Sequence, residues 1–209
     1  MTQDKKYPLT LDIDYSDKSD RLTAAFRIIL IIPIFIILAL ISGANSTDEE
    51  SARAARWGIE SGGLLIIPTM LMILFRQKYP KWWYNFNIEL TKFATRVGAY
   101  FFLLRDEYPS TDEEQAVHIN IPYPNVEKDL VNWMPLVKWF LAIPHVLVLC
   151  FLWIGAIIAV IIAWFAILFT GTHPKGIHDY IVGVMRWSLR VEAFALLLTT
   201  DEYPPFSLS

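Results

Sequence analysis

The chain is poor in cysteine, in charge and in recognisable reaction motifs. Its one cysteine, Cys150, lies inside an apolar run. That excludes an internal disulfide and gives no support to a thiolate metal site. Charged residues make up only 19% of the chain, where a soluble domain carries about a quarter. The formal net charge of −3 comes without a basic soluble patch, which argues against nucleic acid as a partner. No Ser-His-Asp pattern, HExxH, phosphate-binding glycine loop or Cys-x-x-Cys occurs, so no cofactor and no enzymatic activity is expected.

What is present is apolar. Hydrophobic residues reach 55% and fall in blocks: Leu22 to Ser42, Ile59 to Phe75, and Trp133 to Thr170 with no charge after Lys138. The last block is nearly twice the ~20 residues one membrane crossing needs. It is read as two spans with a turn at Gly155. The first block follows a polar stretch and no small-residue cleavage site follows it, so a span is expected rather than a signal peptide. Thr2 and the absence of a C-terminal cysteine predict no lipid anchor. Of 18 Lys and Arg residues, Arg53 and Arg56 sit in the Gly43–Gly58 loop. Of the other 16, Arg27 and Lys138 lie near the start of their blocks and the rest flank the blocks, all on what two hairpins would make a single side. The positive-inside rule then predicts cytoplasmic N- and C-termini.

The chain also repeats itself. A shift of 94 residues lays Pro80 on Pro174, Lys81 on Lys175, Arg96 on Arg190 and Ala99 on Ala193. Both copies end in Asp-Glu-Tyr-Pro, at Asp106–Pro109 and Asp201–Pro204. Internal duplication of this kind fixes architecture before it fixes function. The first repeat is placed at 1–112 and the second at 113–209. Each reads as strand, span, span, amphipathic helix. Leu9–Tyr15 and Val117–Tyr123 alternate apolar and polar residues as half-buried strands do, and the tail Tyr203–Leu208 could add an edge strand, where proline is tolerated.

Trp82, Phe86, Leu90, Phe93, Val97, Phe101 and Leu104 step along one helical face, with Asn85, Glu89, Lys92 and Arg96 on another. Ile177, Tyr180, Val184, Trp187, Val191 and Leu198 repeat the apolar face; Asp179, Arg186 and Arg190 repeat the polar one. Aromatic and basic residues arranged this way suit a helix lying in the membrane interface; the alternative is a helix packed under the sheet. The predicted fold is therefore an all-α integral membrane protein with a small cytoplasmic β-sheet. It has four transmembrane helices in two hairpins and two interfacial helices.

Several residues stand out as sites. Pro33 and Pro144 occupy matching places in the first span of each half and should kink both. Arg27 and Lys138, each six residues earlier, can snorkel to phospholipid headgroups. His145 is a polar group at membrane depth and so a candidate functional site. Lys92, Arg96, Arg186 and Arg190 are candidate headgroup or anion contacts. The favoured structural reading has Arg186 and Arg190 binding headgroups or pairing with Asp12 or Asp14; the functional one has them cradling an anionic ligand between the halves. His173, His178 and Asp179 cluster, but the first copy has Tyr79, Tyr84 and Asn85 there, so hydrogen bonding is preferred to a metal site.

The run Trp164–Gly171, then His173-Pro174-Lys175-Gly176, Val182–Trp187, Leu189-Arg190-Val191 and Tyr203–Leu208, resembles a bacterial membrane-protein family known as domain of unknown function 4389. Val137-Lys138-Trp139 and Leu141–His145 resemble its first-span signature. The second half is the closer copy. The resemblance implies a bacterial inner-membrane location and no activity. The functional expectation is a non-enzymatic structural or accessory subunit, a homo-oligomer or part of a larger membrane complex, in contact with phospholipids. A lipid or amphiphile carrier is the alternative, supported by the duplication, the paired prolines and the basic stripes.

Overall fold

A computed structural model describes residues 7–42, 62–113 and 115–209. The outward loop expected at Gly43–Gly58 lies outside the described residues. The elements run β1 (Thr10–Ile13), α1 (Arg21–Leu30), α2 (Ile32–Ser42), α3 (Gly62–Arg76), α4 (Lys81–Phe101), β2 (Val117–Asn120), α5 (Val126–Asp129), α6 (Met134–Thr170) and α7 (Lys175–Ala195). The fold is mostly helical with one antiparallel two-stranded sheet, in which Thr10 faces Asn120 and Ile13 faces Val117.

Local chemistry explains the boundaries. Asp20 caps α1, its carboxylate accepting from the amides of Leu22 and Thr23 and so satisfying donors the first turn leaves open. The helix is interrupted at Ile31 and resumes as α2. Pro33, which has no amide hydrogen to give, is the second residue of α2. Pro144, by contrast, sits inside an unbroken α6. Gly171 ends that helix with a left-handed φ of 76°, as helix C-termini often require.

Among the described residues two helical stretches, not four, are long and apolar enough to cross a membrane: Arg21–Ala39 and Met134–Thr170. The turn expected at Gly155 does not occur, and α6 is one helix of 37 residues. A lone glycine costs a helix only about 1 kcal/mol, and no second breaker stands beside it. Gly155 serves packing instead. A Cβ there would lie 2.7 Å from the Tyr180 hydroxyl, which donates to the Leu152 carbonyl at 2.9 Å.

The amphipathic helices also differ from expectation. α7 packs along α6 on one side and against β1 on the other, and Ile181, Val184, Ala193 and Phe194 are fully buried. A helix covered on two sides is a core element rather than one resting on a lipid surface. α4 packs on α2 and β2. The tail after Asp201 forms no strand. Pro204 and Pro205 offer it no ladder donors, and its carbonyls are taken by arginines instead.

The halves share further detail. α4 and α7 each have 21 residues and each follows a proline. Each is followed by a buried leucine with positive φ, Leu103 at 65° and Leu198 at 56°. The preceding helices are followed by Gln77 at 45° and Gly171 at 76°. The strands are exchanged: β1 packs on α7, and β2 packs on α4. Tyr15, after β1, donates its hydroxyl to the His173 carbonyl at 2.7 Å, and Tyr123, after β2, donates to the Tyr79 carbonyl at 2.5 Å. Each half thus holds the other's strand.

Candidate functional site

Two buried cations anchor the halves in matching ways. Arg27, 2% exposed, pairs with Asp106. It also donates to the carbonyls of Tyr100 at 2.7 Å and Arg105 at 2.9 Å, and lies 4.5 Å from the Tyr100 ring centroid. Lys138, fully buried, pairs with Asp201 at 2.7 Å. It donates to the Thr200 carbonyl at 2.7 Å and lies 5.2 Å from the Phe194 ring. The snorkelling expected of both side chains is replaced by inward pairing. The acids come from the repeated Asp-Glu-Tyr-Pro word. Its repetition was the signal for them, and reading it only as a boundary marker missed their role. Asp201 further accepts from the Val131 amide at 2.7 Å, tying the tail to the entry of α6.

Arg186 donates to the carbonyls of Leu11 at 2.9 Å and Leu208 at 3.1 Å. Arg190 donates to Ser207 at 3.4 Å and Ser209 at 2.5 Å, and its guanidinium faces the Tyr7 ring. Neither pairs with Asp12 or Asp14; the partners are main-chain oxygens of β1 and the tail. In the first half Lys92 pairs with Glu89 at 2.7 Å, and Arg96 donates to the Ser110 carbonyl at 3.1 Å.

His145 is fully buried. Its Nδ1 accepts from the Trp187 indole at 3.0 Å, and its ring stacks on Phe206 at 3.9 Å with Tyr203 alongside. The tail's aromatics therefore close over it, and its Nε2 finds no partner among the described residues. His173 and His178 meet edge to face at 5.9 Å, and Tyr15 stands 5.1 Å from His178. Burial lowers the pKa of both imidazoles, because a charged ring loses hydration there. Asp179 lies 3.5 Å from His178 Nδ1. Among the described residues no three His, Cys, Asp or Glu side chains converge as metal ligands would.

One acid escaped the sequence reading. Glu192 of α7 is partly buried, and Thr91 of α4 donates to it at 3.3 Å. Loss of hydration pushes its pKa up to about 7. It borders a groove of about 380 Å³ with Trp139, Val146, Leu149, Ser188 and Leu196. The repeat offers no hint of it, because the matching residue in α4 is Gly98. A second cavity, of about 370 Å³, is almost wholly apolar and lies between α1 and α6, against Arg27, Ile28, Phe101, Trp164 and Phe165.

No curated protein and no solved structure matches the chain. Residues 133–207, from the entry of α6 through the tail that closes over His145, match the family described as a domain of unknown function, DUF4389.

Proposed function

We propose that the chain is a non-enzymatic structural or accessory subunit of a bacterial inner membrane, self-associating or held in a larger complex. One observation carries the reading. The cations that a headgroup or ligand site would need in the second half, Lys138, Arg186 and Arg190, are bound by the chain's own main-chain oxygens and by Asp201, and Arg27 of the first half is likewise held by Asp106. Groups consumed in this way hold a scaffold together; they do not greet a substrate. A duplicated unit with exchanged strands suits the same role, and cytoplasmic termini follow from the basic residues.

Lipid handling is the second reading, favoured by the apolar cavity between α1 and α6. Replacing Lys138 by Met strips Asp201 of its partner and should cost about 3 to 5 kcal/mol of stability. Under the structural reading Lys138→Met and Arg186→Ala lower the unfolding midpoint in detergent, and reconstituted vesicles show no lipid movement with either wild type or variant. Protein-dependent lipid movement by the wild type, abolished in a variant that stays folded, would replace this reading with the second. Native mass spectrometry of gently extracted protein identifies the partner or the copy number.

A further inference from the structure

The two halves use their matching cations differently. In the second half the Arg186 and Arg190 cradle is filled by tail oxygens at 2.5 to 3.4 Å. Gly183, one turn before Arg186, makes room for that tail: a Cβ there would lie 2.9 Å from Leu208 Cβ and 3.0 Å from its carbonyl oxygen. The matching residues of α4 are Glu89, Lys92 and Arg96. A side chain at Glu89 takes the place that the missing Cβ of Gly183 leaves open.

Lys92 and Arg96 border a polar pocket of about 220 Å³ whose walls include Thr10, Gln115, His118 and Asn120. Arg96 is 7% exposed, gives one N–H to Ser110, and has an Nε with no partner among the described residues. A buried guanidinium donor without an acceptor leaves a desolvation cost unrecovered.

We propose that this pocket binds a phosphate-bearing anion, with Arg96 as the buried donor fork and Lys92 as a mobile charge at its mouth. Guanidinium geometry suits phosphate oxygens, and an ammonium supplies charge without fixed direction. The sister cradle shows that this pair of helix positions can gather several oxygens at once. Glu89 competes for Lys92 through an exposed pair, which is worth little and opens readily. Asp12, also on the pocket wall, opposes any anion, so Glu89 and Asp12 both hold the affinity down.

The test is phosphate binding to the whole chain in detergent, followed by calorimetry with inorganic phosphate. A parallel arm measures binding to vesicles with and without phosphatidylglycerol. Saturable binding is expected in one arm. It should weaken about tenfold in Arg96→Gln, the loss of one charged hydrogen bond, and tighten in Glu89→Gln. Phosphate binding with no dependence on phosphatidylglycerol in the vesicle arm marks a soluble phosphate ligand; phosphatidylglycerol-dependent vesicle binding alone, lost in Arg96→Gln, marks a lipid headgroup. Glu89 is exposed, so its variant stays informative if Arg96→Gln fails to fold. The proposal is overturned by no saturable binding in either arm, or by binding that neither Glu89→Gln nor a folded Arg96→Gln changes.

Discussion

Glu192 is the residue whose chemistry differs most from its surroundings. Its folded pKa, about 7, stands above the ordinary value of 4.5. Between those values the folded chain binds the proton more tightly than the unfolded one, so stability falls as pH rises through that window. Below it the contribution is fully present; above about pH 7 the charged carboxylate remains in the groove at a steady cost. Glu192→Gln keeps the Thr91 contact and removes the charge. Thermal unfolding in detergent should show the variant gaining roughly 3 kcal/mol over wild type at pH 8 and little at pH 5. An equal difference at both pH values would mean that the carboxylate is hydrated in the fold. The sequence could not expose this group, since one acid among the polar positions of an amphipathic helix looks like any other. Arg27 and Lys138 were visible because apolar runs isolate them. Their carboxylate partners were legible only as a repeated word, because pairing across 79 and 63 residues is a property of the fold.

At the scale of elements, the sequence carried composition and period but not continuity. The strands lie where alternation placed them, though shorter, and α4 and α7 cover the amphipathic stretches. The last apolar block, Trp133 to Thr170, reads as two spans turning at Gly155 because its length exceeds one crossing. Length alone does not make a turn, and α6 runs through. The consequence is measurable. Phe140 and Phe169 are both exposed on α6, 29 residues apart in one helix, or about 44 Å at 1.5 Å per residue. Spin labels at Phe140→Cys and Phe169→Cys, with Cys150 replaced by Ala, should report a distance near that value after reconstitution. A helical hairpin turning at Gly155 would bring the same labels to roughly 10 Å, the spacing of packed helices. The amphipathic helices were assigned to the interface because period alone cannot say what covers a face. β1 and α6 cover α7, and that information lies in the exchanged strands.

The whole molecule joins an apolar layer to a polar one. Phe140, Leu147, Phe151, Ile154, Ile158, Ile162, Phe165 and Phe169 expose apolar surface along the length of α6, and Phe26, Ile29, Phe35 and Ile36 do so on α1 and α2. A surface of this extent marks contact with lipid or protein. Both ends of α6 nonetheless return to the layer that holds the sheet. At its C-terminal end the Gly171 carbonyl accepts from the Ser19 amide, and Lys18 bridges Thr172. At its N-terminal end Asp201 grips Lys138 and the Val131 amide. Near the sheet, Tyr15 reaches His173 just past the C-terminal end of α6, while Tyr123 reaches Tyr79 at the entry of α4. From these anchors the expected placement of α6 is along the lipid layer, with both of its ends on one side. In a background lacking Cys150, cysteines at Trp133 and Lys175 should therefore both react with a membrane-impermeant maleimide from the same side of sealed inverted vesicles. A lipid-dissolved carbene reagent should label the Phe140 to Phe169 face between them. Reaction of the two cysteines from opposite sides would make α6 a through-membrane span.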